Sequence, residues 1–542
     1  MSEELRPAAA KRSAVLDPAH EGEIRGALGS IPRSDRGRPW SRRLLTLAAI
    51  MGPGLIVMIG DNDAGGVSTY AQAGQDYGTT LLWVLLLCIP TLIVAQEMVV
   101  RLGAVTGVGH ARLIKERFGK FWAAFSVGDL FLLNFLTLVT EFIGVNLSLR
   151  YFGITPLASV PIVAIGLLAM VTTGSFQLWE RFMFVFIVTS LLMFPLALLS
   201  HPTPAPVLRG LFVPTVQGGF TSTSVLFIIA VVGTTIAPWQ LFFQQSNVID
   251  KRITTRWLKY ELADTSIGAV VTTAGGGAIM LATAFAFAHT GLAGQFGSGL
   301  TVAEGLSRHV GSASGAIFAV VLVNASVIGA SAVTLSTSYA LGDSFGLKHS
   351  LHRKVGDAKG FYLSFAGLIA LAAGVVLIPG APLGLITTGV QVLAGVLLPS
   401  AIVFLLLLCN DAQVLGPWVN SARQNVVATI IVAVLVLLSL ILTVTTVIPQ
   451  LPLAPFTASV TIVAVAGLSW MGLAARQRRG RDQERERAVR GDRRVWRMPP
   501  LSELKPPVWS RGQRLGMLVL RGYLVLAVVL LAVKIGQLAL AR

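Results

Sequence analysis

Residues 60–66, Gly-Asp-Asn-Asp-Ala-Gly-Gly, interrupt an apolar segment that runs from about residue 44 to residue 74. Carboxylates inside a membrane span are energetically expensive, and glycine loosens a helix. The sequence therefore predicts that a membrane helix breaks at this point. A break exposes backbone carbonyl and N–H groups, which are tolerated where they line a cavity. Together with the two carboxylates, these carbonyls predict an oxygen-rich cation site.

The composition is that of a polytopic membrane protein. Of the 542 residues, 54% are hydrophobic and only 13% are charged, and the mean hydropathy is +0.72. Soluble domains carry about 25% charged residues. The net charge of +17 comes from basic residues in tails and in short loops between apolar runs, as the positive-inside rule requires. We therefore expect membrane lipids as surroundings and no nucleic-acid partner.

Apolar runs of membrane-spanning length recur along the chain and predict about a dozen helices. With the N-terminus in the cytosol, the even-numbered connections at 101–120, 251–259, 348–359 and 476–514 are all basic. This bias predicts an integral protein of the cell (inner or plasma) membrane with a cytosolic N-terminus. The runs lie at residues 45–75, 79–100, 121–148, 157–173, 182–200, 222–247, 264–289, 314–341, 361–379, 384–408, 425–447, 455–474 and 515–537.

Five regions follow from this pattern. The first, residues 1–43, is polar and rich in Arg and Pro and is expected to be a disordered tail. The last run contains Arg521 and Lys534, so it either spans the membrane or lies along its surface. The remaining regions are a ten-helix core at 44–410, additional helices at 411–475, a basic cytosolic linker at 476–514 and the C-terminal helix at 515–542.

A second interruption lies at residues 233–240, Gly-Thr-Thr-Ile-Ala-Pro-Trp-Gln. Pro238 removes a backbone hydrogen bond and clashes with the preceding turn, and the neighbouring Gly and Thr residues allow local unwinding. This break comes five apolar runs after the first, and the two runs enter the membrane from opposite sides. Paired breaks of this kind indicate an inverted-repeat transporter with its site near the membrane midplane.

Sites of other kinds find little support. Cys88 and Cys409 lie in apolar runs, so neither a disulfide framework nor a Cys-x-x-Cys metal site is available. The histidines do not cluster, and no nucleophile lies beside a base in the pattern of a hydrolase. We therefore expect no enzyme activity, no resident cofactor and no obligate protein partner.

Several motifs resemble the NRAMP family of divalent-metal transporters. Residues 52–54 (Gly-Pro-Gly), 63–66 (Asp-Ala-Gly-Gly) and 72–74 (Gln-Ala-Gly) resemble its first helix, with the family pattern Asp-Pro-Gly-Asn. The stretch 233–240 resembles its Gly-Ala-Thr-x-Met-Pro-His-Asn. The resemblance implies an all-α LeuT-like fold of five plus five helices, with one to three extra C-terminal helices. Supporting matches are Thr106-Gly107, residues 141–144, Asp264-Thr265, Gln391, Leu398-Pro399 and Asn410-Asp411.

The resemblance also assigns a metal site, with departures. Asp63 matches the metal-binding carboxylate of the family, but Gly66 stands where the second ligand is normally Asn. Ala237 replaces the metal-binding Met, and Thr234 replaces an alanine whose carbonyl contributes to the site. A thioether favours softer transition metals, so its loss removes a filter against hard cations. Mg²⁺ keeps several waters and needs only one or two carboxylates, which a roomier pocket accommodates.

Further departures concern the proton path. Glu141 matches the family's glutamate, but Leu138 replaces the aspartate of that path and Trp239 replaces a histidine, while Asp61 and Asn62 add polar atoms. This pattern is similar to the NRAMP-related magnesium transporters, which carry Mg²⁺ and Mn²⁺ without proton coupling. We therefore predict uptake of divalent cations, with Mg²⁺ favoured, by alternating access. The alternative is a proton-coupled Mn²⁺/Fe²⁺ symporter.

The predicted metal-site residues are eight, and several have a second interpretation. Asp63 could be a helix cap, Asp61 and Asn62 could cap the half-helix or face water, and Thr234 could bond to its own helix. Gln391 could reach the ion in one conformational state or bond a neighbouring helix. The predicted set is Gly60, Asp61, Asn62, Asp63, Gly66, Thr234, Ala237 and Gln391.

Overall fold

The computed structural model describes residues 18–32, 43–378, 383–447, 455–463, 466, 492–493, 496–504, 516, 518, 522 and 525. Most of the predicted linker 476–514 and of the predicted helix 515–542 lies outside these residues, as does the start of the predicted N-terminal tail. The described chain is almost entirely helical, which confirms the predicted all-α class. One short antiparallel hairpin, β1 (Ile24–Gly26) and β2 (Gly29–Ile31), precedes the first helix.

Among the described residues, nine helical stretches are long and apolar enough to cross a membrane. The helices are α1 Arg43–Ile50, α2 Pro53–Ile59, α3 Ala64–Tyr77, α4 Leu82–Thr106, α5 His110–Phe118, α6 Lys120–Tyr151, α7 Pro156–Val171, α8 Phe176–Ser190, α9 Met193–Leu199, α10 Pro204–Phe212, α11 Ser222–Thr235, α12 Pro238–Asp250, α13 Leu258–Phe287, α14 Gly299–His309, α15 Ser312–Phe345, α16 Lys359–Val376, α17 Leu383–Cys409, α18 Ala412–Leu415 and α19 Ala422–Val447. The nine stretches are formed by α4, α6, α8 with α9, α11 with α12, α13, α15, α16, α17 and α19. Single 3-10 turns lie at Pro18–His20, Thr255–Trp257, Gly416–Trp418 and Leu501–Glu503.

The first predicted break is present. Helix α2 ends at Ile59 and α3 begins at Ala64, so four residues leave the helical path inside the apolar segment. Asp63 has an extended backbone, with φ −70° and ψ −177°, and is the N-cap of α3. The two half-helices therefore place the end of one and the start of the other inside the protein.

The second predicted break is also present. Helix α11 ends at Thr235, and α12 begins at Pro238 with the proline in its first turn. Ile236 and Ala237 lie between them with ψ angles of 86° and 144°, far from the helical value. Proline is favoured in a first turn because it has no N–H group to leave unpaired. The same residue that ends one half-helix thus starts the next.

Helix packing brings the two breaks together. Helix α13 packs along both α2 and α3, and α17 packs along α11. At Gly233 of α11 a Cβ atom would overlap the backbone of α17 at Gln391 and Gly395. Small residues allow this close approach of membrane helices. The contact sets α17 directly beside the second break.

Within the predicted N-terminal tail, residues 18–32 form a 3-10 turn and the β1–β2 hairpin, which pack against the helices. Ile24 and Ile31, a cross-strand pair in the hairpin, are 3% and 2% exposed and pack with Ala49, Ile50 and Val248. The tail is polar on average, so its overall composition did not reveal these two isoleucines. Paired across a hairpin, two isoleucines bury enough apolar area to hold a short segment on the helices, at about 25 cal/mol per Å².

We expect Gly233→Leu to destabilise the protein. The added side chain has no space between α11 and α17, and overpacking costs about 1–3 kcal/mol. The purified variant should have a lower melting temperature in detergent than the parent. Gly128→Leu is the matched control, because a Cβ at Gly128 meets no atom within 4 Å. Equal melting temperatures for the two variants would contradict the proposed close contact.

Candidate functional site

Three oxygen atoms border the space beside Gly66. A Cβ atom at this position would lie 2.8 Å from the Asp61 carbonyl oxygen, 3.1 Å from Thr234 Oγ1 and 3.4 Å from Asp63 Oδ1. The first and third oxygens belong to the break before α3, and the second belongs to the end of α11. Glycine at residue 66 therefore leaves open a point on which oxygens from both broken helices converge.

Asp63 combines the two interpretations open from the sequence. Its Oδ1 accepts a hydrogen bond of 2.6 Å from the Gly66 N–H group, so the residue is a helix cap. It is only 3% exposed, and the same Oδ1 atom borders the open point beside Gly66. A carboxylate at the N-terminus of a half-helix is stabilised by the helix dipole. The cap thus holds the carboxylate in place at the convergence point.

Asp61 and Thr234 carry buried oxygens that lack partners. Both carboxylate oxygens of Asp61 and the Thr234 hydroxyl have no hydrogen-bond partner among the described residues. Asp61 is 1% exposed and Thr234 is 2% exposed. A buried charge without a partner is strongly unfavourable. A cation, with or without its water shell, is the kind of ligand that satisfies this set of acceptors.

Gln391 reaches the first break from α17. Its amide group rests directly against Gly65, where a Cβ atom would overlap it and would also lie 3.3 Å from Asp63 Oδ1. The Gln391 Nε2 atom has no hydrogen-bond partner within the described parts of the chain. The structure therefore places this amide beside Asp63, although the two residues are far apart in sequence.

Three of the predicted residues contact other parts of the protein. The Asn62 Nδ2 group donates to the Thr272 carbonyl on α13 at 2.9 Å, so this side chain is directed toward α13. A Cβ at Gly60 would meet the Trp239 ring at 3.3 Å. Ala237 lies in a large apolar cluster, and its carbonyl accepts from the Gln240 N–H group at 3.2 Å. Of the predicted set, the structure brings together Asp61, Asp63, Gly66, Thr234 and Gln391.

Glu141 lies next to Asp63. Its Oε2 accepts from the N–H group of Ala64, the first residue of α3, at 3.1 Å. A Cβ at Gly329 of α15 would contact both the Glu141 carboxyl carbon, at 2.7 Å, and Asp63 Cβ, at 2.8 Å. Because adjacent carboxylates repel each other, such a pair shares a proton or a cation. An acidic residue within an apolar run indicates a functional role, but the sequence does not specify which role Glu141 has.

Two glutamines connect Asp61 to helix α4. Gln96 of α4 donates from Nε2 to Gln240 Oε1 at 3.4 Å, and the Gln240 Nε2 group lies near Asp61 with no hydrogen-bond partner of its own in the described region. Both side chains are fully buried. A single amide in a long apolar run carries little signal, because glutamine also serves ordinary helix–helix contacts.

This arrangement of broken helices matches a known family. The family described as "Natural resistance-associated macrophage protein-like" (NRAMP) matches residues 54–445. The chain belongs to the NRAMP family. The resemblance seen in the sequence motifs is thereby confirmed, and the matched range includes both breaks and Gln391.

Individual NRAMP relatives cover most of the chain. The divalent metal cation transporter MntH of Bacillus subtilis (strain 168) is 26% identical over 450 residues, which is 79% of this chain and 95% of that protein. MntH of Klebsiella pneumoniae (strain 342) is 27% identical and covers 72% of this chain and 92% of its own length. The crystal structure of the Eremococcus coleocola manganese transporter superposes with a TM-score of 0.61 at 19% identity, covering 82% of this chain and 98% of that one. The NRAMP fold is therefore shared along nearly the whole length of these relatives.

We expect Asp63→Asn to abolish cation binding without unfolding the protein. Asparagine is as good an N-cap as aspartate, so α3 keeps its cap while the site loses a charge. Mn²⁺ or Mg²⁺ should raise the melting temperature of the parent protein and leave that of the variant unchanged. Asp76→Asn, on the same helix but beside Gln72, is the matched control and should still be stabilised. Stabilisation of the Asp63→Asn protein equal to that of the parent would exclude Asp63 from the site.

Proposed function

We propose that this NRAMP-family chain is a secondary transporter that carries divalent metal cations by alternating access. The observation that carries this proposal is the convergence of the Asp61 carbonyl, the Thr234 hydroxyl and the Asp63 carboxylate beside Gly66. These oxygens come from two broken helices, and such breaks frame the substrate sites of inverted-repeat transporters. The printed names of the relatives, divalent metal cation transporter and manganese transporter, support the same substrate class.

We further propose Mg²⁺ as the favoured substrate and Mn²⁺ as the second. The three atoms nearest the open point are all oxygens, and Ala237 offers no thioether. Hard cations prefer oxygen ligands, whereas a sulfur ligand selects softer metals. Mg²⁺ gives up its waters reluctantly and binds through one or two carboxylates. The unpartnered carboxylate of Asp61 and the amide of Gln391 are suited to hydrogen-bond or orient such a water shell.

The transport step needs no proton in this proposal. An interior-negative membrane potential supplies about 2.3 kcal/mol per charge for each 100 mV, or about 4.6 kcal/mol for a dication. The membrane potential alone therefore drives accumulation of Mg²⁺ on the cytosolic side. With the N-terminus placed in the cytosol by the distribution of basic loops, the ion moves toward the face that carries residues 18–32.

A second candidate is a proton-coupled Mn²⁺ or Fe²⁺ symporter. The contact between Asp63 and Glu141 favours it, because two adjacent carboxyl groups at the site provide a place for a proton. Leu138 and Trp239 oppose it, since they replace the titratable residues that the family resemblance assigns to the proton path. Inhibition of Mg²⁺ entry by Cd²⁺ and acidification during uptake separate the two candidates.

The first functional test uses proteoliposomes that contain a Mg²⁺ dye and a pH dye, with an imposed negative-inside potential. We expect Mg²⁺ entry without acidification for the parent protein, and no entry for Asp63→Ala. Loss of entry in the variant follows from removal of the charge at the convergence point. Entry of Mn²⁺ only, accompanied by acidification, would establish the symporter instead.

The second functional test addresses cation selectivity. Gly66→Asn together with Ala237→Met restores the amide and thioether that the family pattern has at these positions. We expect the ratio of Cd²⁺ to Mg²⁺ uptake to rise by about tenfold, because the thioether favours the soft ion and the amide fills the space that a hydrated ion needs. Since both ions are measured on the same protein, the ratio is independent of expression level. An unchanged ratio would show that residues 66 and 237 do not determine selectivity.

A further inference from the structure

Residues 18–32, named here the strap, close one end of the helix bundle. The strap comprises the 3-10 turn Pro18–His20 and the β1–β2 hairpin. It contacts α1, α8 and α12. Helix α1 precedes the half-helix α2, α8 packs against α2, and α12 is itself a half-helix of the second break. Ile24 and Ile31 fill an apolar cluster with residues of α1 and α12. A tail without a structural task would leave such residues exposed to water.

Polar bonds attach the hairpin to α8. The N–H group of Ala27, in the two-residue turn, donates to Glu180 Oε2 at 2.5 Å. The Gln177 Nε2 group donates to the Gly26 carbonyl at 3.1 Å. One turn of α8 therefore holds the hairpin through a charged acceptor, the Glu180 carboxylate, and a neutral donor, the Gln177 amide. Hydrogen bonds to charged groups are the stronger kind.

Beneath the hairpin lies a buried ion pair. Lys251 Nζ is 2.6 Å from Glu180 Oε1, and both side chains are 0% exposed. The same ammonium donates to the Met51 carbonyl at 2.6 Å. The pair thus joins α8, the residue after α12 and the link between α1 and α2. Because burying two charges is costly, a buried pair is weak evidence for stability and is better explained as a device that specifies one arrangement.

A second connection lies at the start of the strap. His20 Nε2 is 3.4 Å from Asp250 Oδ1 at the end of α12. Asp250 also accepts from the Tyr339 hydroxyl of α15 at 2.5 Å and from the Leu351 N–H group at 2.8 Å. Arg252 donates to the carbonyls of Ala19 and Glu23, at 3.0 Å and 3.1 Å, and so holds the strap itself.

These contacts lie at the ends of the half-helices that are farthest from the two breaks. Helices α2 and α12 are the halves of the broken helices that lie on the strap side of the two breaks, and each begins or ends at the face that the strap covers. In the transport function proposed above, a cation beside Gly66 would reach this face by a movement of α2 and α12 away from α8 and α15, against which they pack. The Glu180–Lys251 pair and the Asp250 bonds hold these elements together.

We propose that the strap and the Glu180–Lys251 pair beneath it keep the ion pathway closed at this face, and that the strap detaches from α1 whenever the pathway opens. This inference rests on the transport function proposed above. It assigns gating to a segment outside the ten-helix core and to an ion pair that does not touch the cation site. The exit is closed while the strap is seated and opens when it lifts.

A disulfide can keep the strap attached to α1. A Cβ at Gly29 would lie 3.2 Å from the Ala49 Cβ, close to the 3.5–4.5 Å separation typical of disulfides. In proteoliposomes, oxidised Gly29→Cys/Ala49→Cys protein should take up Mn²⁺ at least about tenfold more slowly than the same protein after reduction. The two single variants should be insensitive to the oxidant. Equal uptake by the cross-linked and reduced protein overturns the proposal.

A second measurement follows the strap without requiring flux. Val248→Cys places a thiol in the fully buried cluster under Ile24 and Ile31, and its reaction with a membrane-impermeant maleimide reports lifting. Ala27→Pro removes the N–H group that donates to Glu180. The turn itself should tolerate proline, because neither turn residue has a positive φ and proline is favoured at the first position of such a turn. We expect this change to accelerate labelling at least about fivefold.

The matched control is Arg25→Ala, whose side chain is 62% exposed and pairs with Glu23 on the surface; it should leave labelling unchanged. The parent protein, with Cys88 and Cys409 buried, gives the background. If the thiol is labelled no faster in the Ala27→Pro protein than in the Arg25→Ala protein, the proposal is overturned. Absence of cation entry in the parent protein would instead refute the proposed function, and the labelling rates would still decide whether the Ala27–Glu180 bond keeps the strap attached.

Discussion

The structure depends on one electrostatic constraint, the presence of carboxylates inside a membrane helix. Asp61 and Asp63 are almost completely buried, and the protein accommodates them by breaking the helix between Ile59 and Ala64. The break supplies N–H groups to Asp63 but leaves the Asp61 oxygens without partners among the described residues. A helix that kept its regular path would have no donors or cation to offer these charges. The geometry of the proposed cation site is thus a direct consequence of how the backbone accommodates buried carboxylates.

Missing side chains complete the arrangement. Gly66 leaves open the point at which three oxygens converge, Gly65 accepts the amide of Gln391, and Gly233 allows α17 to approach α11. Each of these contacts depends on the absence of a Cβ atom, and each joins parts of the chain that are distant in sequence. Because packed interiors leave little free volume, the open point between the two broken helices exists where the backbone carries no side chain. The NRAMP fold provides the scaffold, and these small residues shape the site within it.

The second buried charge cluster has a different character. Glu180 and Lys251 are paired and covered by the strap, whereas the Asp61 carboxylate oxygens at the first break lack hydrogen-bond partners among the described residues. A satisfied pair maintains one arrangement of helices, and an unsatisfied group awaits a ligand. In the mechanism proposed above, the first kind of site binds the ion and the second holds the closed conformation. The strap and the proposed cation site lie at opposite ends of the half-helices.

Sequence alone determined the all-α membrane class, both helix breaks and the family resemblance, because hydropathy, glycine and proline act locally along the chain. It also identified Asp63 as a candidate ligand, since an intramembrane carboxylate is costly wherever it lies. Only the tertiary structure decided which predicted residues meet. Asn62 is directed toward α13, while Gln391 and Glu141 reach the first break from other helices. Only the tertiary structure showed the ordered strap, because its two isoleucines acquire a partner surface when α1 and α12 assemble beneath them. Contacts between distant segments depend on packing, which no local pattern encodes.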